Sequence, residues 1–351
     1  MGILVAIAIL SLLIFFHELG HFAAARFFGV HVEVFSIGFG KTLYSKMLGK
    51  TQWRISAIPL GGYVKMKGQN DADPTYTNDD KDSYTDKRPW QRIIILLAGP
   101  FANFLLAFIL YFIIANLGIP KLLPYIGTVG KNTPAQHAGL QKHDKITKIN
   151  GIAIQYWEEV GEQINQSNTE TTLLIRRDHK TITLHLQPQI IEDKNIFGEH
   201  ITRRIIGISP SGEKTKVYLN LLSGLDYAWE ETKKASLLIL RSVQKLLTGI
   251  VGVDKLGGVI TIIDVTAEAS HVGIVALLFF TALISVNLGV LNLLPIPALD
   301  GGHILFNLYE IITRNKPNQQ TLYILTMAGW ILLFSLMALG LYNDINRLME
   351  K

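Results

Sequence analysis

Apolar residues fall into four long runs, and the stretches between them differ sharply in pattern. The runs extend from Ile3 to Phe28, Ile93 to Leu117, Val275 to Leu294 and Leu322 to Leu341. As helices, each is long enough to cross about 30 Å of hydrocarbon. Residues 31–67 read differently. "VEVFSIGFG" and "QWRISAIPLGGYVKM" alternate apolar and polar positions and are punctuated by Gly38, Gly40, Gly61 and Gly62, the pattern of paired strands. Residues 68–88, "GQNDADPTYTNDDKDSYTDKR", are polar and turn-rich and read as a surface loop. From Tyr125 to Pro188, β-like runs such as "YIGTVG" and "TTLLIRR" alternate with the helical segments "TPAQHAGL" and "YWEEVGEQINQ", which predicts a small inserted soluble domain. Residues 215–250 space Leu221, Leu225, Trp229, Leu237, Leu240 and Leu247 as on a helix face. That predicts an amphipathic helix pair, either lying on a membrane surface or packed on the inserted domain.

The fold class this defines is a polytopic α-helical membrane protein with four transmembrane helices, a strand region and one inserted domain. The predicted divisions are 1–30, 93–117, 275–298 and 322–342 for the spans, 31–67 for the strands and 68–92 for the first loop. The inserted domain takes 118–192, the amphipathic region 193–274, a second loop 299–321 and the tail 343–351.

Composition agrees: 49% of the 351 residues are hydrophobic and 17% charged, against about 25% charged in ordinary soluble domains. Cysteine is absent, which excludes disulfides, thiolate zinc sites and cysteine nucleophiles. The net charge of +5 is modest, and no basic cluster interleaved with aromatics points to nucleic acid. Lys and Arg concentrate between the first two runs, from Arg26 to Arg92, and none precedes Arg26. The positive-inside rule then puts that loop in the cytoplasm and the inserted domain outside. Both termini fall outside as well, with Arg347 and Lys351 running against that placement of the tail. Ile3 to Phe16 resembles a signal-peptide core, but Met1-Gly2 supplies no basic n-region, so the segment reads as a retained span.

Chemistry sits inside the first run. In "FFHELGHF", His17 and His21 are four residues apart, so on a helix both rings leave one face and can grip one Zn2+ ion. Glu18 stands beside them, placed to act as general acid/base on a water that zinc has activated. Ionisable groups cost roughly 2.5–3.5 kcal/mol each inside a span and are functional by default there. Catalytic zinc takes three protein ligands. The third run ends in "NLGVLNLLPIPALDGGH", which offers Asp300 and, by spacing equally, His303. Pro295 and Pro297 break the helix just before them.

"HELGH", "GPFANF" (residues 99–104) and "NLLPIPALDGG", in that order along nearly the whole chain, strongly resemble intramembrane zinc metalloproteases of the site-2 protease type. The likeness is nearest to the bacterial sigma-E regulatory protease group, and "TPAQHAGLQKHDKITKINGIAI" resembles a PDZ domain. The resemblance implies Asp300 as the third ligand and Asn292 as a residue that holds substrate backbone or assists the transition state. It further implies that Gly38-Phe39-Gly40 turns a membrane re-entrant β-hairpin, on whose edge a substrate unwound from its own transmembrane helix would add as a strand. The expected substrates are single-span membrane proteins, such as pre-trimmed anti-sigma factors or remnant signal peptides, in the bacterial inner membrane. Peptide C-termini are a further expected partner, at a PDZ-like groove near Tyr125 to Val129.

The chain departs from that group in having room for one PDZ-like domain rather than two. It also carries His143 where such domains have Gly and Val259 where relatives often have Pro. Asn103 reads as a helix-packing residue. A metal transporter would need polar residues along several spans, whereas here they cluster at one depth. A PDZ scaffold with a degenerate protease core is opposed by the intact His17, Glu18, His21 and Asp300.

Overall fold

The computed structural model of the chain describes residues 2–69, 78–167 and 170–350. Two compact units emerge, Met1–Ile114 with Leu222–Lys351, and Ala115–Leu221.

In the first unit, helix α1 (Gly2–Phe27) leads into strands β1 (Val32–Leu48) and β2 (Thr51–Met66), followed by α2 (Pro89–Leu117). Each strand bends and serves twice. Residues 32–37 of β1 pair with 52–55 of β2 on one side and with 62–66 on the other, while 42–48 return to pair with 51–56. The result is a four-row sheet, with 61–66 and 42–48 as its edges. The inner half buries Val32, Val34 and Phe35, whereas residues 39–48 are exposed. Phe35 stacks on Trp53 at 4.3 Å between ring centroids and meets Phe15 and Phe22 edge-on. Phe15, Leu19 and Phe22 recur at helical spacing, so one face of α1 carries the sheet. The opposite side is left for His17 and His21.

The first loop is less open than its composition predicts. Residues 70–77 lie outside the described residues, but 78–88 are tied down. His31 N donates to Asp82 O at 2.8 Å, Tyr84 N donates to Lys67 O at 2.8 Å, and Lys67 Nζ reaches Asp80 and Asp82 at 2.7 Å each. Those hydrogen bonds raise the Lys67 ammonium above its ordinary range, and the bond from Lys67 holds the Asp82 carboxyl below its own. The depressed acid makes this tie present at neutral pH and lost only as pH falls through the Asp82 range, below about 4.

After the second unit come α5 (Leu221–Leu247), α6 (Val259–Val272), α7 (Ile274–Asn292), α8 (Asp300–Thr313) and α9 (Gln319–Met349). Four helices, α1, α2, α7 and α9, are long and apolar enough to cross a membrane. Two expectations are corrected here. Residues 215–250 hold one continuous 27-residue helix, not a pair, because no proline interrupts its apolar stripe. Residues 299–321 are largely helix rather than loop. The close packing of Gly301 and Gly302 permits this: a Cβ there would lie 2.3 Å from Leu294 O and from Ile296 O respectively, so only glycine lets α8 start against the preceding turn. The N-terminus of α6 is held from α9, where buried Asp344 accepts from the backbone of Gly258, Ile260 and Thr261 at 3.0–3.1 Å.

The second unit has a four-stranded sheet, β6-β5-β7-β8, built from Ile152–Ala153, Lys145–Ile149, Thr171–Arg177 and Lys180–Leu186. Short helices α3 (Pro134–His137) and α4 (Trp157–Gln166) close over a core of Ile126, Ile146, Ile149, Leu173 and Ile175. The expected boundary at 192 is too early. Strands β9 (Gln189–Lys194), β10 (His200–Ile205), β11 (Ile208–Pro210) and β12 (Lys214–Val217) pair with one another or return to β4 (Ile126–Val129) and β3 (Ile119–Leu122), so the unit runs to Leu221. Such non-local pairing is invisible to local pattern. His143, at the expected glycine position, adopts φ 72, the left-handed region glycine favours.

Asp144 is fully buried and takes both Arg177 Nε and a terminal nitrogen at 2.7 Å, plus Gln141 N at 2.8 Å. Removing the guanidinium would leave a buried carboxylate uncompensated, at a cost of about 3–5 kcal/mol. Arg177→Met should therefore open residues 115–221 to limited proteolysis in the intact protein.

Candidate metal centre

His17, Glu18 and His21 lie on α1, and Asp300 is the first residue of α8. The turn between α7 and α8 delivers Asp300. Helix α7 stops at Asn292, and successive tight bonds (Ile296 N to Leu294 O at 2.7 Å, Leu299 N to Ile296 O at 2.8 Å) reverse the chain through Pro295 and Pro297. The carboxylate then sits at the positive end of the α8 dipole. Arg92 of α2 reaches Glu310 of α8 at 2.7 Å, with both side chains about six-sevenths buried (13% and 14% exposed), which ties α8 to α2.

The His17 and His21 Nε2 atoms are 3.2 Å apart, and each lies 3.4 Å from Asp300 Oδ2. Tetrahedral zinc with ligand bonds of about 2.0–2.1 Å sets its donors about 3.3–3.4 Å from one another. The three separations match that edge. Asp300 Oδ2 is buried with no hydrogen-bond donor. His21 Nδ1 is 2.8 Å from Ile95 O, an acceptor only, so Nδ1 carries the proton and Nε2 presents its lone pair to the cluster. Lone pairs and a carboxylate oxygen converging on one buried point call for a cation. The donor set fits zinc.

The carbonyl that holds His21, that of Ile95, lies on α2 one residue before Leu96, the position whose helical donor is missing at Pro100. Gly99 of α2 lies against the His21 ring: a Cβ at 99 would meet His21 Nε2 at 2.2 Å, and one at Gly20 would meet Ala98 O at 2.1 Å. Gly99→Ala should displace His21 and lower bound zinc well below one per chain. Gly161→Ala, an α4 position where a Cβ meets nothing within 4 Å, should keep its zinc. Metal analysis of the two purified proteins distinguishes a clash at His21 from a general intolerance of alanine.

A cavity of about 150 Å³ opens at the cluster, lined by His17, Glu18, His21, Asn292, Asp300 and His303, with Trp330 and residues 62–64 on its walls. Asn292 thus shares this cavity with the three clustered donors. His303 lines the cavity but is not in the three-residue cluster, which takes Asp300; its ring contacts Phe306 edge-on at 6.0 Å. Gly38, Phe39 and Gly40 do not line the cavity. They form the bend of β1, and Phe39 touches the wall only by stacking on Tyr63 at 6.2 Å. The sheet edge beside the metal ligands is Gly61–Met66, where a Cβ at Gly62 would sit 3.3 Å from Glu18 Cγ. Asn103 is corrected too: its amide lies 3.2 Å from His17 Nδ1, so it is a neighbour of the site and not packing alone. The "GPFANF" motif was its only signal. In the second unit a cavity of about 620 Å³ lies between α4 and residues 201–208; its lining includes Ile208, which pairs with Val129, but not Tyr125 to Val129 themselves.

A histidine pair one helical turn apart, completed by a carboxylate from a second helix and flanked by an acidic side chain outside the ligand set, defines a zinc hydrolase set among apolar helices. The profile of Peptidase family M50 matches residues 5–336. The chain belongs to that family and is a membrane zinc metalloprotease. It is 49% identical over 345 residues to a Campylobacter jejuni protein provisionally named a zinc metalloprotease, covering 98% of this chain and 93% of the relative. A Helicobacter pylori protein of the same description is 42% identical over 354 residues, covering 99% of each. The regulator of sigma-W protease RasP of Bacillus subtilis is 30% identical over 421 residues, covering 97% of each.

Proposed function

We propose that the protein is an intramembrane endopeptidase that hydrolyses peptide bonds within transmembrane segments of single-span proteins. His17, His21 and Asp300 hold the zinc, and Glu18 is the general acid/base. The reading rests on one observation: three donors spaced 3.2, 3.4 and 3.4 Å apart on or beside helices apolar enough to cross a membrane. Bound zinc supplies a Lewis acid that lowers the pKa of water to about 7. Glu18 takes a proton from the attacking water as the C–O bond forms, then delivers it to the nitrogen as the C–N bond breaks, so the amine leaves neutral. Asn292, which lines the same cavity, donates to the substrate carbonyl. Substrate backbone, once unwound, pairs with the outer edge of 61–66, which re-satisfies amides that lipid cannot.

In this reading the membrane is the bacterial inner membrane, with the active site toward the cytoplasm. The 115–221 unit is PDZ-like and extracytoplasmic, and peptide C-termini occupy the cavity between α4 and residues 201–208. Its role is to admit substrates already trimmed outside the membrane, anti-sigma factors or remnant signal peptides being the fitting classes.

The test is mass-spectrometric mapping of cleavage in liposomes, using a single-span substrate and the same sequence with its span made polar. Cuts inside the apolar segment, lost in the polar version, support the reading. Cuts confined to soluble flanks contradict it.

A further inference from the structure

We infer that Asn103 is a positioning residue for the zinc ligand His17, acting as a hydrogen-bond acceptor on its Nδ1–H; this rests on the reading of His17 as a ligand. Asn103 is wholly buried on α2, and its backbone carbonyl accepts from Ser285 Oγ at 2.7 Å, which anchors the residue between α2 and α7. Its amide lies 3.2 Å from His17 Nδ1. With Nδ2 toward the ring, two things go wrong. Asn103 Oδ1 is buried and faces no donor. A ring that accepts at Nδ1 must also carry its proton on Nε2, which would point that proton at His21 Nε2 and Asp300 instead of a lone pair at a metal. Turning the amide by half a turn about its last bond gives Oδ1 a donor and returns the Nε2 lone pair to the metal site. The two ends of an amide occupy nearly the same volume, so the turn requires no other movement. Oδ1 then accepts from Nδ1–H, and Nε2 is free to ligate.

The arrangement repeats that of His21, whose Nδ1 donates to Ile95 O. Both acceptors come from α2, eight residues apart and so about two turns along one side of the helix. Helix α2 contributes no ligand, yet it sets the tautomer of both imidazoles. Partners of this kind typically control metal affinity by about 10–100-fold.

Zinc affinity of the full-length protein in detergent, measured by chelator competition, tests the inference on Asn103→Leu, Asn103→Asp and His17→Ala. Asn103→Leu should bind zinc about 10–100-fold more weakly. Asn103→Asp, an acceptor of the same shape, should stay within a few-fold of wild type and keep the wild-type visible spectrum when loaded with cobalt. Asn103→Leu binding zinc as tightly as wild type, or Asn103→Asp failing as badly as Asn103→Leu, would overturn it, the latter because the side chain would then be donating or packing. Normal zinc binding by His17→Ala would instead overturn the ligand reading on which the inference rests, so the two failures are told apart. Should a position-103 variant not fold, zinc-loaded wild type labelled with 15N-histidine gives the answer alone: a slowly exchanging Nδ1–H assigned to His17 is expected, and its absence overturns the inference.

Discussion

Glu18→Gln yields a protein that still binds one zinc and still captures substrate, yet cuts it about 10²–10⁴-fold more slowly. The side chain lines the 150 Å³ cavity but is not among the three clustered donors. Glutamine keeps its length and shape and removes only the capacity to take and return a proton. The substitution thus separates metal binding from chemistry. Glu33→Gln is the matched control: Glu33 pairs with Lys65 at 2.8 Å on the surface, away from the cavity, and exposed pairs of that kind contribute little. Turnover of a single-span substrate alongside the metal content of each protein decides the matter. Cleavage by Glu18→Gln within tenfold of wild type would remove Glu18 from the mechanism.

The second large effect is at Asp300. Asp300→Ala deletes the donor that lies 3.4 Å from both histidines and leaves a two-ligand site. Zinc affinity should fall at least about 10²-fold, beyond what is usual for a residue that only supports a ligand. The helix should survive, because the Arg92–Glu310 pair and the packing at Gly301 and Gly302 hold α8 without the carboxylate. The expected result is a folded, inactive protein that purifies without metal and resembles chelator-treated wild type. Stoichiometric zinc in Asp300→Ala would hand the third position to another group, and His303 on the same cavity wall would be first in line.

The legible parts of this molecule are those governed by short-range period. The i, i+4 histidines and the length of each apolar run are local facts, and α1, α2, α7 and α9 occur where the runs predict. The fold of the α7–α8 turn is not local. "PIPALDGGH" reads as loop, and only contact with the carbonyls of Leu294 and Ile296 explains why two glycines there start a helix. The strand that borders the metal ligands escaped for a related reason. Alternation identifies β1 and β2 but carries no register; 32–37 pair on both sides, and of the strands after the Gly38–Gly40 bend it is 61–66 that comes beside Glu18. Asn103 shows a third kind of limit: an amide in an apolar helix packs or orients with the same sequence signature, and only its 3.2 Å approach to His17 separates the two.

X-ray absorption fine structure at the zinc edge, recorded on the full-length protein in detergent, tests the central claim most directly. The account predicts four light-atom neighbours at about 2.0–2.1 Å, two of them with the outer-shell scattering of imidazole rings, and loss of this signal in His17→Ala purified in parallel. A spectrum with no imidazole scattering, or one that His17→Ala leaves unchanged, would contradict it.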